Sequence, residues 1–267
     1  MAETQIQILS DLHLESPSAY DLFHIEPKAP YLALVGDIGY VKDDGFFDFL
    51  HRQLEIFRTV FLVLGNHEPY HSSWNETKSR IKRFEVGIAT SKPSETRGQF
   101  VFLDKTRYDI SPTLSVLGCT LFSQVVDEQV DHVRLGLNDF YHIDDWSVEA
   151  HREAHRADLD WLNSEIDSIS RLEPGRKVVV LTHYCPLTSN NVVDPRHRYS
   201  KISSGFMTDL SSERCWKGSV VKLWAFGHTH FNCDFRDFNH EKRVISNQRG
   251  YYFSQAASFD AAKIIEI

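Results

Sequence analysis

Five apolar runs in this chain of 267 residues stop at side chains that bind metals. They end in Asp11-Leu12-His13, Gly36-Asp37, Gly65-Asn66-His67-Glu68, Thr182-His183 and Gly227-His228-Thr229-His230. Each pattern is weak alone, since an aspartate that follows a strand and a glycine is often only a helix cap. Together they supply Asp11, His13, Asp37, Asn66, His183, His228 and His230. Oxygen and nitrogen donors without a thiolate suit Mn²⁺, Fe or Zn²⁺. Seven ligands, one of them a carboxylate able to bridge, are enough for two ions. Two ions about 3.5–4 Å apart clamp the attacking and leaving oxygens of an in-line displacement at phosphorus, and they make a hydroxide nucleophile available near neutral pH. His67 stands beside a ligand without being needed as one, which suits a proton donor or charge stabiliser. Glu68 is placed to orient His67, to cap a helix or to form a surface salt bridge.

The elements that must position these residues are visible as well. Runs 5–9, 31–35, 61–64, 177–181 and 220–226 read as buried strands, and α/β proteins build sites at strand ends. A spacing of two puts Asp11 with His13, and His228 with His230, on one side of an extended segment. Helices are expected over 43–57, where Phe46, Phe47, Leu50, Leu54 and Phe57 recur at helical spacing, over 74–88 with a solvated basic face, and over 147–169. Ser147 is the expected N-cap of the last, with Leu159, Leu162, Ile166 and Ile169 on one face. This helix carries His151 and His155 at i, i+4, a zinc-binding spacing, but Arg152 stands where the zinc-protease pattern needs glutamate. A solvent-facing side is the expectation for that pair.

Runs 100–103 and 114–117 flank a polar turn around 109–112 and read as a hairpin or meander. Residues 91–94 read as a loop, 122–145 as a long loop, and 231–267 as short strands and turns. The polar segment 189–217 reads either as a surface loop or as a lid, with Arg196, His197 and Arg198 as candidate phosphate-binding residues. No repeat or linker interrupts residues 1–267, so one domain is expected.

Composition narrows the function. A net charge of -8 argues against a protein that lives on a nucleic-acid backbone, because such proteins present a basic face. No apolar run approaches the ~20 residues that span a bilayer. The N-terminus has no basic region followed by an apolar one, so a secretory signal is not expected. The four cysteines form no C-x-x-C pair and read as free thiols of a reducing compartment, which makes a cytoplasmic location the expectation.

The ordered set Asp11-Leu12-His13, Gly36-Asp37, Gly65-Asn66-His67-Glu68, His183 and Gly227-His228-Thr229-His230 resembles the calcineurin-like metallophosphoesterase superfamily, over residues 11–230. The resemblance implies an α/β (mixed α+β) fold, a four-layer αββα sandwich with a dinuclear metal site at the strand ends. It implies that Asp11, His13, Asp37 and His230 hold one ion, that Asn66, His183, His228 and Asp37 hold the other, and that His67 sits near the leaving-group oxygen. One departure is informative. The superfamily's protein phosphatases continue the second motif into an arginine that grips phosphate, whereas Asp37 here is followed by Ile38-Gly39-Tyr40-Val41-Lys42. The expectation is therefore a phosphodiesterase acting on small substrates, including 2′,3′-cyclic nucleotides, by attack of a hydroxide held between two Mn, Fe or Zn ions. The alternatives are a phosphomonoesterase or protein phosphatase using Arg196 or Arg198, and a non-catalytic, metal-stabilised scaffold. Long nucleic acid and membrane are not expected partners.

Overall fold

The computed structural model describes residues 3–90 and 97–267, so the loop expected at 91–94 lies outside the described residues. In chain order the elements are β1 (Gln5–Leu9), β2 (Tyr31–Val35), α1 (Asp44–Leu54), β3 (Thr59–Val63), α2 (Trp74–Thr90), β4 (Gln99–Phe102), β5 (Thr106–Ser111) and β6 (Leu114–Cys119). Two short helices follow, α3 (Val130–Gly136) and α4 (Asp139–His142), then the long α5 (Val148–Leu172), β7 (Lys177–Thr182), α6 (Arg214–Lys217) and β8 (Val221–Phe226). The chain ends with β9 (Asp234–Asp237), β10 (Lys242–Ser246), β11 (Gly250–Tyr251), β12 (Ser254–Gln255) and β13 (Ile264–Glu266).

Two sheets result, in the orders β13-β1-β2-β3-β4 and β5-β6-β7-β8-β10-β9. The central strands of both run parallel; antiparallel strands close both edges of the second sheet and the β13 edge of the first, whose other edge, β4, is parallel to β3. The apolar runs are continuous because both faces of these strands are covered. Ile6, Ile8, Ala33, Val35, Phe61 and Val63 interleave with Val179, Leu181, Leu223, Ala225 and Ile245 between the sheets. The alternate residues, among them Leu32, Leu34, Val60 and Leu62, pack in a second core with Phe46, Phe49, Leu50 and Ile81 of α1 and α2. On the far side Trp216 of α6 packs against Trp224 of β8, with ring centroids 5.2 Å apart and the rings tilted by 39°. The αββα sandwich is thus observed, and it gathers the carboxyl ends of β1, β2, β3, β7 and β8 at one end of the molecule.

Four expectations need correction. The hairpin is β5–β6. Residues 100–103 instead pair with β3 in the other sheet, because Val101 and Leu103 fill the space between sheets. Asp109 belongs to an edge strand, where Arg107 pairs with it in solvent. Segment 122–145 is not a loop throughout, since α3 and α4 lie within it. Val133 of α3 joins Val125, Leu137 and Val148 from its flanks and from α5 in a small separate cluster, too sparse to show helical periodicity in the sequence. Ser147 does cap α5, accepting from the Ala150 amide at 3.2 Å. His151 and His155, however, are buried rather than solvent-facing. The first turns of α5 lie against residues 121–123, where His155 Nδ1 donates to the Leu121 carbonyl and His151 Nε2 accepts from the Ser123 amide and hydroxyl.

Candidate metal centre

Local backbone shape does much of the positioning. Asp11, His13, Asp37, His228 and His230 all adopt positive φ, between 46° and 70°. Such conformations cost an ordinary residue roughly 1–3 kcal/mol each and persist only where the surroundings fix them. Here the Asp11 amide donates to the Gly36 carbonyl and the His13 amide to the Asp37 carbonyl, each at 3.0 Å. The His228 amide is held by the Asp11 carboxylate at 3.0 Å. The glycines before the ligands allow close approach. A Cβ at Gly65 would overlap the Asp37 carboxylate, and one at Gly36, itself at φ +86°, would overlap the His183 ring.

These strand ends bring together two groups, Asp11 with His13 and His230, and Asp37 with His183 and His228. In the first, His230 Nε2 lies 3.3 Å from Asp11 Oδ1 and 3.0 Å from His13 Nε2. In the second, Asp37 Oδ1 is 3.4 Å from His183 Nε2, while its Oδ2 is 3.9 Å from His13 Nε2, so one carboxylate faces both groups. Asn66 turns its Oδ1 to within 3.2 Å of His183 Nε2, because its amide nitrogen donates to Asp139 Oδ1 at 2.8 Å. All seven residues named from the sequence therefore converge.

The arrangement fits cations on three counts. The buried His228 Nε2 has no hydrogen-bond partner among the described residues. Two imidazole nitrogens, of His13 and His230, face each other at hydrogen-bond distance. Burial, together with the neighbouring His183, holds His228 well below the usual histidine range, and burial lowers His13 too, so both are neutral donors. Burial alone would raise Asp37, but the His183 and His67 imidazoles outweigh it and hold the carboxyl well below its ordinary value. The balance reverses at His183, where Asp37 overcomes burial and lifts the imidazole to about 10.

His67 sits at the edge of this centre, stacked on Tyr70 with centroids 4.3 Å apart. Its Nδ1 donates to Glu15 Oε1 at 2.9 Å, and the same oxygen accepts from His13 Nδ1 at 3.1 Å. Its Nε2 meets the Tyr251 hydroxyl at 3.2 Å. Burial works to lower His67, but Asp37 and Glu15 outweigh it and raise it to about 9. Glu68 takes none of the roles expected of it. It is buried, and its carboxylate accepts the amides of Gly65, Asp37 and Ile38, tying the turn after β2 to the turn after β3.

Glu15, Asp139, Tyr70 and Tyr251 were missed in the sequence. The expected extended segments at 11–13 and 228–230 are not observed, because Asp11, His13, His228 and His230 all have positive φ, and the turn that brings Glu15 to His13 and His67 left no periodic signal. Asp139 comes from the segment read as a loop, and Tyr251 from the short β11–β12 ribbon, with nothing local to mark either.

Above the centre opens a cavity of about 330 Å³. Asn66, His67, His228 and His230 form its floor, and Leu137, Val193, Ile202 and Phe206 form much of its wall. His197 stands on its rim, whereas the two arginines are directed elsewhere. The Arg196 guanidinium is engaged in two directions by Asp194, and Arg198 lines a neighbouring cleft. Among the described residues no lysine or arginine lines the cavity.

Comparisons with known proteins show the family and the fold. A sequence model of the family described as calcineurin-like phosphoesterase matches residues 4–232. An uncharacterized protein of Acanthamoeba polyphaga mimivirus is 27% identical over 264 residues, covering 92% of this chain and 91% of its own. Among solved structures, a phosphopantetheinyl hydrolase from Mycobacterium tuberculosis superposes with a TM-score of 0.71 at 15% identity, covering 100% of this chain and 96% of that one. A dimetal phosphatase from Danio rerio gives 0.53 at 13% identity, with 92% and 87% covered.

Proposed function

The chain belongs to the calcineurin-like phosphoesterases, and from that premise we propose that it hydrolyses small phosphodiesters. The observation that carries this reading is the cavity without a lysine or arginine among the described residues. A phosphate monoester carries close to two negative charges, for which a bidentate guanidinium is the usual grip. A diester carries one, and needs less.

In this reading Asp11, His13, Asp37 and His230 hold one cation, and Asn66, His183, His228 and the shared Asp37 hold a second, with Mn, Fe or Zn suited to the donors. When bound, such a pair supplies Lewis acidity and an activated water. The remaining work falls to the chain's own side chains. Glu15 holds the His67 Nδ1 proton, so Nε2 is the atom presented to the cavity. Protonated there, His67 donates to the leaving alkoxide, and the Tyr251 hydroxyl beside it marks where that oxygen sits. The Asp139 carboxylate keeps the Asn66 amide turned so that oxygen, not nitrogen, faces the metal centre.

Free cysteines among the described residues, three of them buried, accord with a reducing, cytoplasmic setting. No described helix is long and apolar enough to cross a membrane.

Rates on bis(p-nitrophenyl) phosphate and p-nitrophenyl phosphate with Mn²⁺ test the proposal, followed by 2′,3′- and 3′,5′-cyclic nucleotides. The fold neighbour's name adds a phosphopantetheinyl ester to that panel. The diester is expected to be the better substrate. A preference for the monoester by tenfold or more overturns the reading.

A further inference from the structure

Resting on the phosphodiester reading, we propose that the cavity wall facing the metal centre seats an uncharged, apolar ester substituent, an alkyl or aryl arm of the substrate. Three observations carry this. The first is continuity, because Leu137, Val193, Ile202 and Phe206 share one cavity with Asn66, His67 and His228. A phosphorus atom at the floor therefore has its second ester group directed along apolar surface.

The second is that the wall is built. Val193, Ile202 and Phe206 are only partly buried: each packs against a core on one side, Phe206 also stacks on the His228 ring at 4.8 Å, and all three line the cavity on the other. Leu137 behind them belongs to the cluster with Val125, Val133 and Val148. Gly205 lets the turn Ser203–Gly205 press onto that cluster, since a Cβ there would stand 2.9 Å from Leu137. At Gly136 a Cβ would stand 3.0 Å from Ile202. Two distant segments thus lock one preformed surface, which lowers the entropy lost on binding.

The third is the lack of a lysine or arginine among the described lining residues, although Asn138, His197, Ser200, Ser203 and Thr229 also line the cavity. Asp194, the acid on this side of the cavity, is occupied by Arg196. With no lysine or arginine lining it among the described residues, the cavity has no guanidinium or ammonium group to hold a second phosphate. A volume of about 330 Å³ lies at the small end of ligand sites and suits one modest organic group.

The test uses the Mn²⁺-loaded full chain and alkylphosphonates from methyl to hexyl, with binding measured by calorimetry alongside turnover of bis(p-nitrophenyl) phosphate. Each added methylene that is buried is worth about a fourfold gain in affinity. Affinity is expected to rise by about that factor per methylene until the cavity fills. Ile202→Gln, a change at a half-buried position, is expected to flatten the series while leaving methylphosphonate affinity within about twofold. Affinity independent of chain length, with diester turnover intact, overturns this inference and leaves the reading beneath it standing. Tighter binding of 2′-AMP than of hexylphosphonate overturns it too. Failure to turn over any diester, with the monoester cleaved, overturns the reading itself.

Discussion

Two groups of histidines stand in this molecule, and among the described residues only one is clustered with carboxylates in a way that could hold metal. His13, His183, His228 and His230 come from strand ends far apart in the chain and meet around Asp11 and Asp37. His151 and His155 lie one turn apart on α5, at a spacing that zinc sites use, yet each has an ordinary partner in the loop beneath it. The nearby acid, Asp158, is spent on Lys105 and the Leu121 amide. Spacing therefore does not distinguish the two groups. What does is carboxylate placement. At the strand ends Asp11 and Asp37 each face more than one imidazole nitrogen, whereas on α5 His151 and His155 bond to groups of residues 121–123 and belong to no such cluster among the described residues.

The sharpest way to break that contrast is to remove the carboxylate that faces both groups. Asp37→Asn is expected to abolish binding of at least one Mn²⁺ and to cut turnover by roughly 10⁴-fold, since residues that act as a unit fail together. Metal stoichiometry by elemental analysis, beside the rate, checks it. Two ions retained with near-normal turnover would show that Asp37 is not shared. The matching control, His155→Gln, is expected to leave metal content unchanged.

How much of this was legible follows from the same contrast. The candidate ligands could be read because they sit at the ends of apolar runs, so chemistry and local structure are marked by adjacent residues. The αββα layering was implied by their order. Asp139 and Tyr251 could not be read, because only the packing of distant segments brings them to Asn66 and His67. The burial of His151 and His155 was hidden for a related reason. The apolar face of α5 predicts contact with a core, but the cover over its first turns is segment 121–123, whose path the sequence does not disclose. Glu68 was misjudged since three backbone amides are invisible as partners until the turns after β2 and β3 are folded side by side.

The next prediction separates holding metal from moving a proton. His67→Ala is expected to keep both ions and to lose about 10³-fold in kcat on diesters with alkoxide leaving groups. On bis(p-nitrophenyl) phosphate the loss is expected to stay below about tenfold, because nitrophenolate departs without a proton. Equal losses on both substrates would assign His67 to the metals or to the fold. Glu15→Gln is expected to act in the same direction but more weakly, by about 10–100-fold, as changes to groups that orient a ligand usually do. Since Glu15 touches His13 as well as His67, its variant is expected to weaken metal affinity too, which a Mn²⁺ titration of activity would detect. Unchanged metal affinity would mean that the contact with His13 contributes nothing.

The smallest effect belongs to the other histidine group and is read in stability. Burial, with a lesser contribution from His155, pushes His151 down to about 3, against an ordinary value of 6.5. Between those values the unfolded chain binds a proton that the folded protein refuses, so stability falls as pH is lowered through the window. At about 1.4 kcal/mol per pH unit, this one residue accounts for a loss of about 2 kcal/mol between pH 6.5 and 5. His151→Gln keeps an acceptor near Ser123 and removes the titration. It is expected to be less stable than the parent by about 1 kcal/mol at pH 7, through imperfect hydrogen bonding, and yet to lose less on acidification. Urea unfolding of both proteins at pH 7 and pH 5 measures the difference, and the acid sensitivity of the strand-end histidines cancels because both proteins share it. Parallel losses in the two proteins would mean that His151 is already protonated when buried, and the contrast between the two histidine groups would then have to rest on the carboxylates alone.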